Sequence, residues 1–206
     1  MRKFYHQVIC FMGSLLFIGC NQQEKSNSIL PDDCQLKTGD VVFRRGGGLT
    51  SQVVLATDIN GNYSHLGIVV DSAGVKMVVH AVPGEPDYEG DVDRVKMDKP
   101  ENFFSTCLTT IGEVCRPRDS IIGKKAAETA MRLYQKHTLF DHNYDEGDTT
   151  RMYCTELVTY AYRMAGYELI GKERHNVNLP FLKVECIFPS DIYSSEFLES
   201  IIMFHK

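Results

Sequence analysis

Three side chains in this sequence have the types and placement to do chemistry together: Cys154, His65 and His80. Cys154 sits in the box Tyr153-Cys154-Thr155-Glu156-Leu157, at the start of a segment with helical apolar spacing. A thiol in the first turn of a helix meets the positive end of the macrodipole, which favours the nucleophilic thiolate. A thiolate, an imidazole and a polar group that orients the imidazole are the parts of a cysteine hydrolase. The two histidines fall on neighbouring apolar runs, residues 66–70 and 75–82, separated by the turn signal Asp71-Ser72-Ala73-Gly74. A turn centred between Ser72 and Ala73 pairs residue 70 with 75, and His65 directly with His80. Directly opposed side chains have Cβ atoms about 4.5–5.5 Å apart, close enough for one ring to fix the tautomer of the other. An odd-length loop would send the rings to opposite faces. The same three groups could hold a catalytic zinc with one position left for water. No H-E-x-x-H helix or paired ligand spacing supports that, so the hydrolase reading calls for no metal and no cofactor.

Around this core, Tyr63 and Tyr153 flank the catalytic candidates and are expected to line the cleft. Arg44 is a substrate-binding candidate, with Arg45 and Arg151, because guanidinium groups pair with carboxylates. Glu156 joins the substrate-binding candidates, against the competing reading of an exposed or capping first-turn carboxylate. Asp141 and Asp145 read as solvated loop acids, and His137, His142 and His175 as residues without chemistry.

The elements that must position these groups follow from periodicity. Residues 41–43 form a short buried strand after the Gly39-Asp40 turn. A basic, glycine-rich loop (44–48) leads to a short helix at 51–56. It lacks the Lys-Ser/Thr of a P-loop and reads as a surface loop. Residues 91–97 and 111–116 read as further strands. Ile122, Ala126, Ala130 and Tyr134 recur at helical spacing and predict a helix over 120–137, with Asp119 or Ser120 as N-cap. A second helix covers 154–165, with Gly166 as its stop. The tail carries Pro180, Pro189 and a short amphipathic piece at 195–204. Strands preceding helices, joined by hairpins, give an α+β domain with a central antiparallel sheet packed by helices.

The chain has 206 residues, 43% hydrophobic and 24% charged, with a formal net charge of -5. That composition fits one ordinary globular domain and excludes a basic nucleic-acid footprint. Arg2 and Lys3 precede an apolar run over 8–19, too short to span a bilayer and right for an export signal. The run ends Gly19-Cys20 and turns polar at Asn21, which is the pattern of a lipoprotein cleavage site. The expected organisation is a signal peptide over 1–19, a flexible tether over 20–35 starting from a lipidated Cys20, and one domain over 36–206. The location implied is the cell envelope, held to a membrane by the lipid anchor. Five cysteines remain beyond Cys20, an odd number, and Cys107 with Cys115 could form a local disulfide.

Five segments in this order carry a resemblance: Gly39-Asp40-Val41-Val42-Phe43; Tyr63-Ser64-His65-Leu66-Gly67-Ile68-Val69; Val79-His80-Ala81-Val82-Pro83-Gly84; Phe140-Asp141 with Tyr144; and Tyr153-Cys154-Thr155-Glu156-Leu157-Val158. Together, over about residues 36–166, they resemble the YiiX-like branch of the NlpC/P60 superfamily, papain-like enzymes whose chain is circularly permuted so that His precedes Cys. The resemblance implies Cys154 as nucleophile, His65 as general base and His80 as the orienting third residue. His80 stands where relatives often carry a carboxylate. The implied substrates are cell-wall peptide first and, as the alternative, a lipid-derived acyl amide or ester. A non-catalytic binding module on the same fold is a further alternative. Permuted acyltransferases carry an Asn-Cys-Glu-His type box, and the departure to Tyr-Cys-Thr-Glu favours hydrolysis over acyl transfer.

Overall fold

The computed structural model describes residues 27–179 and 182–206, so the signal peptide and Cys20 lie outside the described residues. The elements in chain order are β1 (Val41–Arg45), α1 (Leu49–Thr57), β2 (His65–Ser72), β3 (Val75–Val82), β4 (Arg94–Asp98), α2 (Pro100–Phe103), β5 (Ile111–Pro117), α3 (Ser120–Gln135), β6 (Leu139–Phe140), β7 (Arg151–Met152), α4 (Cys154–Met164), β8 (His175–Leu179), β9 (Leu182–Cys186), α5 (Pro189–Tyr193) and β10 (Leu198–His205). Eight strands form one sheet in the order β10-β5-β1-β2-β3-β4-β6-β7, antiparallel except for the short β6–β7 pair. A β8–β9 ribbon stands apart from it. The class is α+β, with a large central sheet packed by helices.

The central strands are apolar on both sides because both faces are covered. Val41, Phe43, Leu66, Ile68 and Val79 point to the face packed by α3 and α4. Val42, Val69, Val78 and Val114 point the other way, onto Phe103, Phe104 and Phe204. Residues 27–36 close that second face: Ile29, Leu30, Cys34 and Leu36 pack on it, and the Ile29 N–H donates to the Phe104 carbonyl at 2.9 Å. The part of the expected tether from residue 27 onward is therefore docked, since its few apolar residues pack on the cluster that holds Phe103 and Phe104.

Asp119 caps α3, accepting from the N–H groups of Ile121 (2.8 Å) and Ile122 (3.2 Å), an arrangement contributing about 1 kcal/mol. α4 buries Leu157, Val158 and Ala161 and ends before Gly166, whose φ of 95° admits the chain reversal. Gly39 has φ 94°, and a Cβ there would lie 2.4 Å from the Gly123 backbone of α3. That close approach seats α3 on the start of β1.

The β2–β3 hairpin differs from expectation by two residues of register. The turn is Ala73-Gly74, both at positive φ (53° and 85°), so Ser72 opposes Val75 and Ile68 opposes Val79. Such two-residue turns match the twist of the flanking strands. The Asp71 carboxylate helps to hold this one, accepting from Gly74 N–H at 2.8 Å. Because the slip is an even number, the two histidines stay on one face, but as diagonal rather than direct neighbours.

Candidate active site

Strand pairing assembles a row of polar side chains on the Phe103 face of the sheet. Arg44 on β1 opposes His65 on β2, and His80 on β3 opposes Lys96 on β4. Gly67 lies between the two histidines. A Cβ at Gly67 would sit 3.0 Å from His80 Cβ and 2.8 Å from a Val78 methyl. Its missing side chain leaves the room in which the rings meet. His65 Nε2 lies 2.9 Å from His80 Nδ1, and His80 Nε2 lies 3.0 Å from Asp98 Oδ2. Phe103 packs against both rings, with centroids at 5.6 and 5.1 Å.

The proton order along this chain is set from its acidic end. Burial would raise the Asp98 carboxyl, but His80 and Lys96 outweigh it and hold its pKa below the ordinary value. An ionised carboxylate only accepts, so His80 donates from Nε2 and accepts at Nδ1. His65 therefore donates from Nε2 and keeps a lone pair on Nδ1. Burial, Arg44, His80 and Lys96 push His65 well below the usual imidazole value. Burial also lowers His80, against the pull of Asp98. Both rings are neutral at neutral pH. Asp98 is the residue that sequence reasoning missed. Its signal was its position two residues past Lys96, on the same strand face, legible once the β3–β4 register is known.

α4 packs on the opposite face of the sheet, and its first residue reaches the end of β2 that carries His65. Cys154 Sγ there receives the backbone N–H groups of Thr155, Leu66 and Cys154 itself. These and Arg44 favour thiolate, but burial dominates and pushes the thiol up to about 11. The expected pre-formed thiolate is thus corrected to a neutral thiol, with the His65 imidazole neutral too. Withdrawal from water costs the anion more than the helix end returns.

Cys154 and His65 both line one cavity of about 350 Å³. Its walls are mostly apolar: Leu49 and Val53 from α1, Val82 from β3, Val177 and Val184 from the β8–β9 ribbon, and Phe188. Tyr144 and Tyr153, with ring centroids 5.0 Å apart, also border it. Tyr153 is a cavity residue as expected, although its hydroxyl is engaged, accepting from Ile187 N–H at 3.2 Å. Arg44 borders the cavity too, but it is buried and committed. It pairs with Glu85, donates to the Phe103 carbonyl at 3.0 Å, and lies 4.8 Å from the Phe103 ring centroid.

Several expectations are corrected here. Tyr63 does not line the cavity; it is buried in the core and hydrogen-bonds Glu113, the shared acceptor of Tyr63, Tyr193 and Ser200. Glu156 is neither a cavity residue nor exposed. One carboxylate oxygen takes the Tyr153 N–H, Oε2 is buried with no partner, and burial pushes its pKa up to about 8. Asp141 is buried and organises its loop, accepting from the Asn143 N–H at 2.8 Å. Arg45 and Arg151 do not border the cavity, and Arg151 instead lies 3.9 Å from Asp148. Cys107 and Cys115 are unbridged; Cys107 borders the cavity and Cys115 is buried on β5.

No protein-family model matches the chain, and no curated protein matches it. Among solved structures, the crystal structure of metalloprotein yiiX from Escherichia coli O157:H7 (DUF1105) aligns with it. The TM-score is 0.64 at 19% identity, over 82% of this chain and 98% of that one. The chain has the yiiX fold. yiiX is described as a metalloprotein, so the donors of this site bear on whether it fits a metal. A catalytic zinc takes three protein ligands. His80 has both ring nitrogens engaged, by His65 and Asp98, which leaves only Cys154 and one nitrogen of His65. Among the described residues no group of three His, Cys, Asp or Glu side chains is arranged to hold a metal ion. The donor set does not fit, and the zinc alternative is set aside for this chain.

Proposed function

We propose that this protein is a cysteine hydrolase of acyl amides or esters, a permuted papain-like enzyme of NlpC/P60 type, exported and anchored at the cell envelope through Cys20. The observation that carries the substrate class is the apolar wall of the cavity beside Cys154 and His65. A cell-wall peptide, the class the sequence puts first, presents charged and amide groups that need polar partners. Arg44, the cation at the cavity, is already spent on Glu85 and Phe103. An acyl chain needs only apolar surface, at about 25 cal/mol per Å² buried.

In the reaction, His65 Nδ1 takes the Cys154 proton as Sγ attacks the substrate carbonyl. The Cys154 N–H has no acceptor within the helix; once the sulfur is bonded to the carbonyl carbon, it turns from the sulfur and donates to the developing oxyanion. The imidazolium formed at His65 keeps its Nε2–H bond to His80, with the Asp98 charge one ring further on. It then protonates the leaving nitrogen or oxygen, and the C–N or C–O bond breaks to give a thioester on Cys154. His65, now neutral, takes a proton from water. The resulting attack on the thioester releases the carboxylic acid and restores the thiol.

The test is a chain-length series of p-nitrophenyl esters and matching fatty-acyl amides, with Cys154→Ser as control and intact-mass analysis of the enzyme. The expected result is turnover that rises with acyl length, an acyl adduct on Cys154 and complete loss in Cys154→Ser. Turnover of cell-wall peptides alone would replace acyl substrates with peptide. An absence of turnover and adducts with either class would leave a binding module.

A further inference from the structure

α1 is unlike the other long helices of the fold. α3 and α4 each bury an apolar stripe, whereas α1 has no buried residue, and no other element makes more than a glancing contact with it. Its exposure is not the exposure of a polar helix. Residues 46–57 (GGGLTSQVVLAT) contain no charged side chain. Leu49 is 82% exposed, Val53 44%, and Ile59, just past the helix, 90%. A solvent-facing helix without charges and with protruding aliphatic side chains is costly to leave in water. The same helix is one wall of the cavity, contributing Leu49, Val53, Val54 and Thr57 to its lining. Leu49 and Val53 therefore stand at the rim, lining the cavity and open to solvent at once.

The route of the chain identifies what lies outside that wall. The first described residue, Asn27, accepts the Thr106 N–H at 2.6 Å, and Leu108, two residues on, lines the cavity. The Leu108 carbonyl lies 3.4 Å from where a Gly46 Cβ would be, at the glycine run that leads into α1. The N-terminal segment thus departs from the rim of the cavity, beside α1. Only residues 21–26 separate Asn27 from Cys20, a reach of about 25 Å when fully extended. A membrane held at Cys20 cannot be far from this helix. Arg45, next to the glycine run, suits the headgroup level beside an inserted apolar tip.

We propose that α1 and Ile59 form a lipid-docking surface, with Leu49, Val53 and Ile59 entering the acyl region of a bilayer so that acyl chains pass along α1 into the cavity. The proposal rests on the acyl-hydrolase reading, since a water-soluble peptide would not need delivery from a lipid phase.

The protein has no tryptophan, so Leu49→Trp in the full chain provides a single reporter at the proposed tip. Phosphatidylcholine vesicles, with and without bromine-labelled acyl chains, are the probe, and a soluble short-chain p-nitrophenyl ester reports the catalytic centre separately. The expected result is a blue shift of emission on adding vesicles and quenching by the brominated chains. Ile59→Ser in the same background, at a residue outside the cavity lining, is expected to lower vesicle partitioning at least about tenfold while soluble-ester turnover is unchanged. Emission that ignores vesicles and bromine overturns the proposal, as does quenching that Ile59→Ser leaves intact, since the N-terminal segment alone then places the tip there. Sedimentation showing a dimer that Ile59→Ser dissociates, without vesicle binding, assigns the surface to a second copy instead and also overturns it. Insertion with no ester or amide turnover leaves docking standing and removes the hydrolase reading; turnover without insertion does the reverse.

Discussion

The ring nitrogens of His80 are both committed, Nδ1 to His65 and Nε2 to Asp98, and this fixes which atom of His65 is free to act as a base. Asp98→Asn replaces a pure acceptor with a group that both donates and accepts, so the tautomer order is no longer enforced. The variant is expected to lower kcat by about 10²–10⁴-fold with little change in KM. Its kcat–pH profile should shift, a readout that a merely structural role for Asp98 would not move. Cys154 itself should alkylate slowly with iodoacetamide at neutral pH, its rate climbing toward its raised pKa of about 11. Glu156 gives a second test. Its folded pKa of about 8 lies above the ordinary 4.5, so the native state holds a proton that the unfolded chain releases. Stability is expected to fall as pH rises from about 4.5 to about 8, by an amount on the order of a few kcal/mol. In Glu156→Gln that dependence should vanish from denaturant midpoints. The types of Cys154, His65 and His80, and the common strand face of the two histidines, were legible from sequence. Asp98 was not, because it joins them only through the pairing of β3 with β4. Nor was the thiol's neutrality, because burial beats the helix end only when the surrounding fold is known.

Gly67 shows how an element carries the site. It occupies the point on β2 where any side chain would strike Val78, the Val79 carbonyl and His80. Gly67→Ala is expected to destabilise the fold by about 1–3 kcal/mol. It should also reduce turnover out of proportion to the loss of stability, by forcing His80 off His65; thermal melts and kcat on the same preparation separate the two effects. The β2–β3 hairpin was legible as a hairpin, yet its turn was displaced by one residue because Ala73 takes a positive φ, a conformation that alanine does not advertise. β1, β3, α3 and α4 follow their periodicities closely. β10, read as a short amphipathic piece, is an edge strand whose register shifts between Ser200 and Ile202, which breaks the period-two signal. The β8–β9 ribbon went unseen because its few apolar residues are set among Asn176, Asn178, Lys183 and Glu185, which leaves a weak strand signal.

For the whole molecule, the sheet needs both faces covered, and the second cover comes from the chain's own beginning. Residues 27–36 lie over Phe103 and Phe104, and Phe103 in turn packs the histidine pair. Replacing Ile29 and Leu30 together by Asp is expected to cost about 2–3 kcal/mol and to lower the melting temperature. Turnover should fall less than in Asp98→Asn below that temperature. The helical cover of α3 and α4 was readable from their stripes. This second cover was not, because its residues look like a polar linker until they find Phe104. The sealing of His80 has one more consequence. No surface of the His80 ring is open to water, so the proton it shares with His65 meets solvent through His65 at the cavity, while the far end of the chain is Asp98, 14% exposed. A bound acyl chain would stopper the cavity end, and the lifetime of the His65 proton against exchange with water becomes a clock that records how long the cavity stays filled.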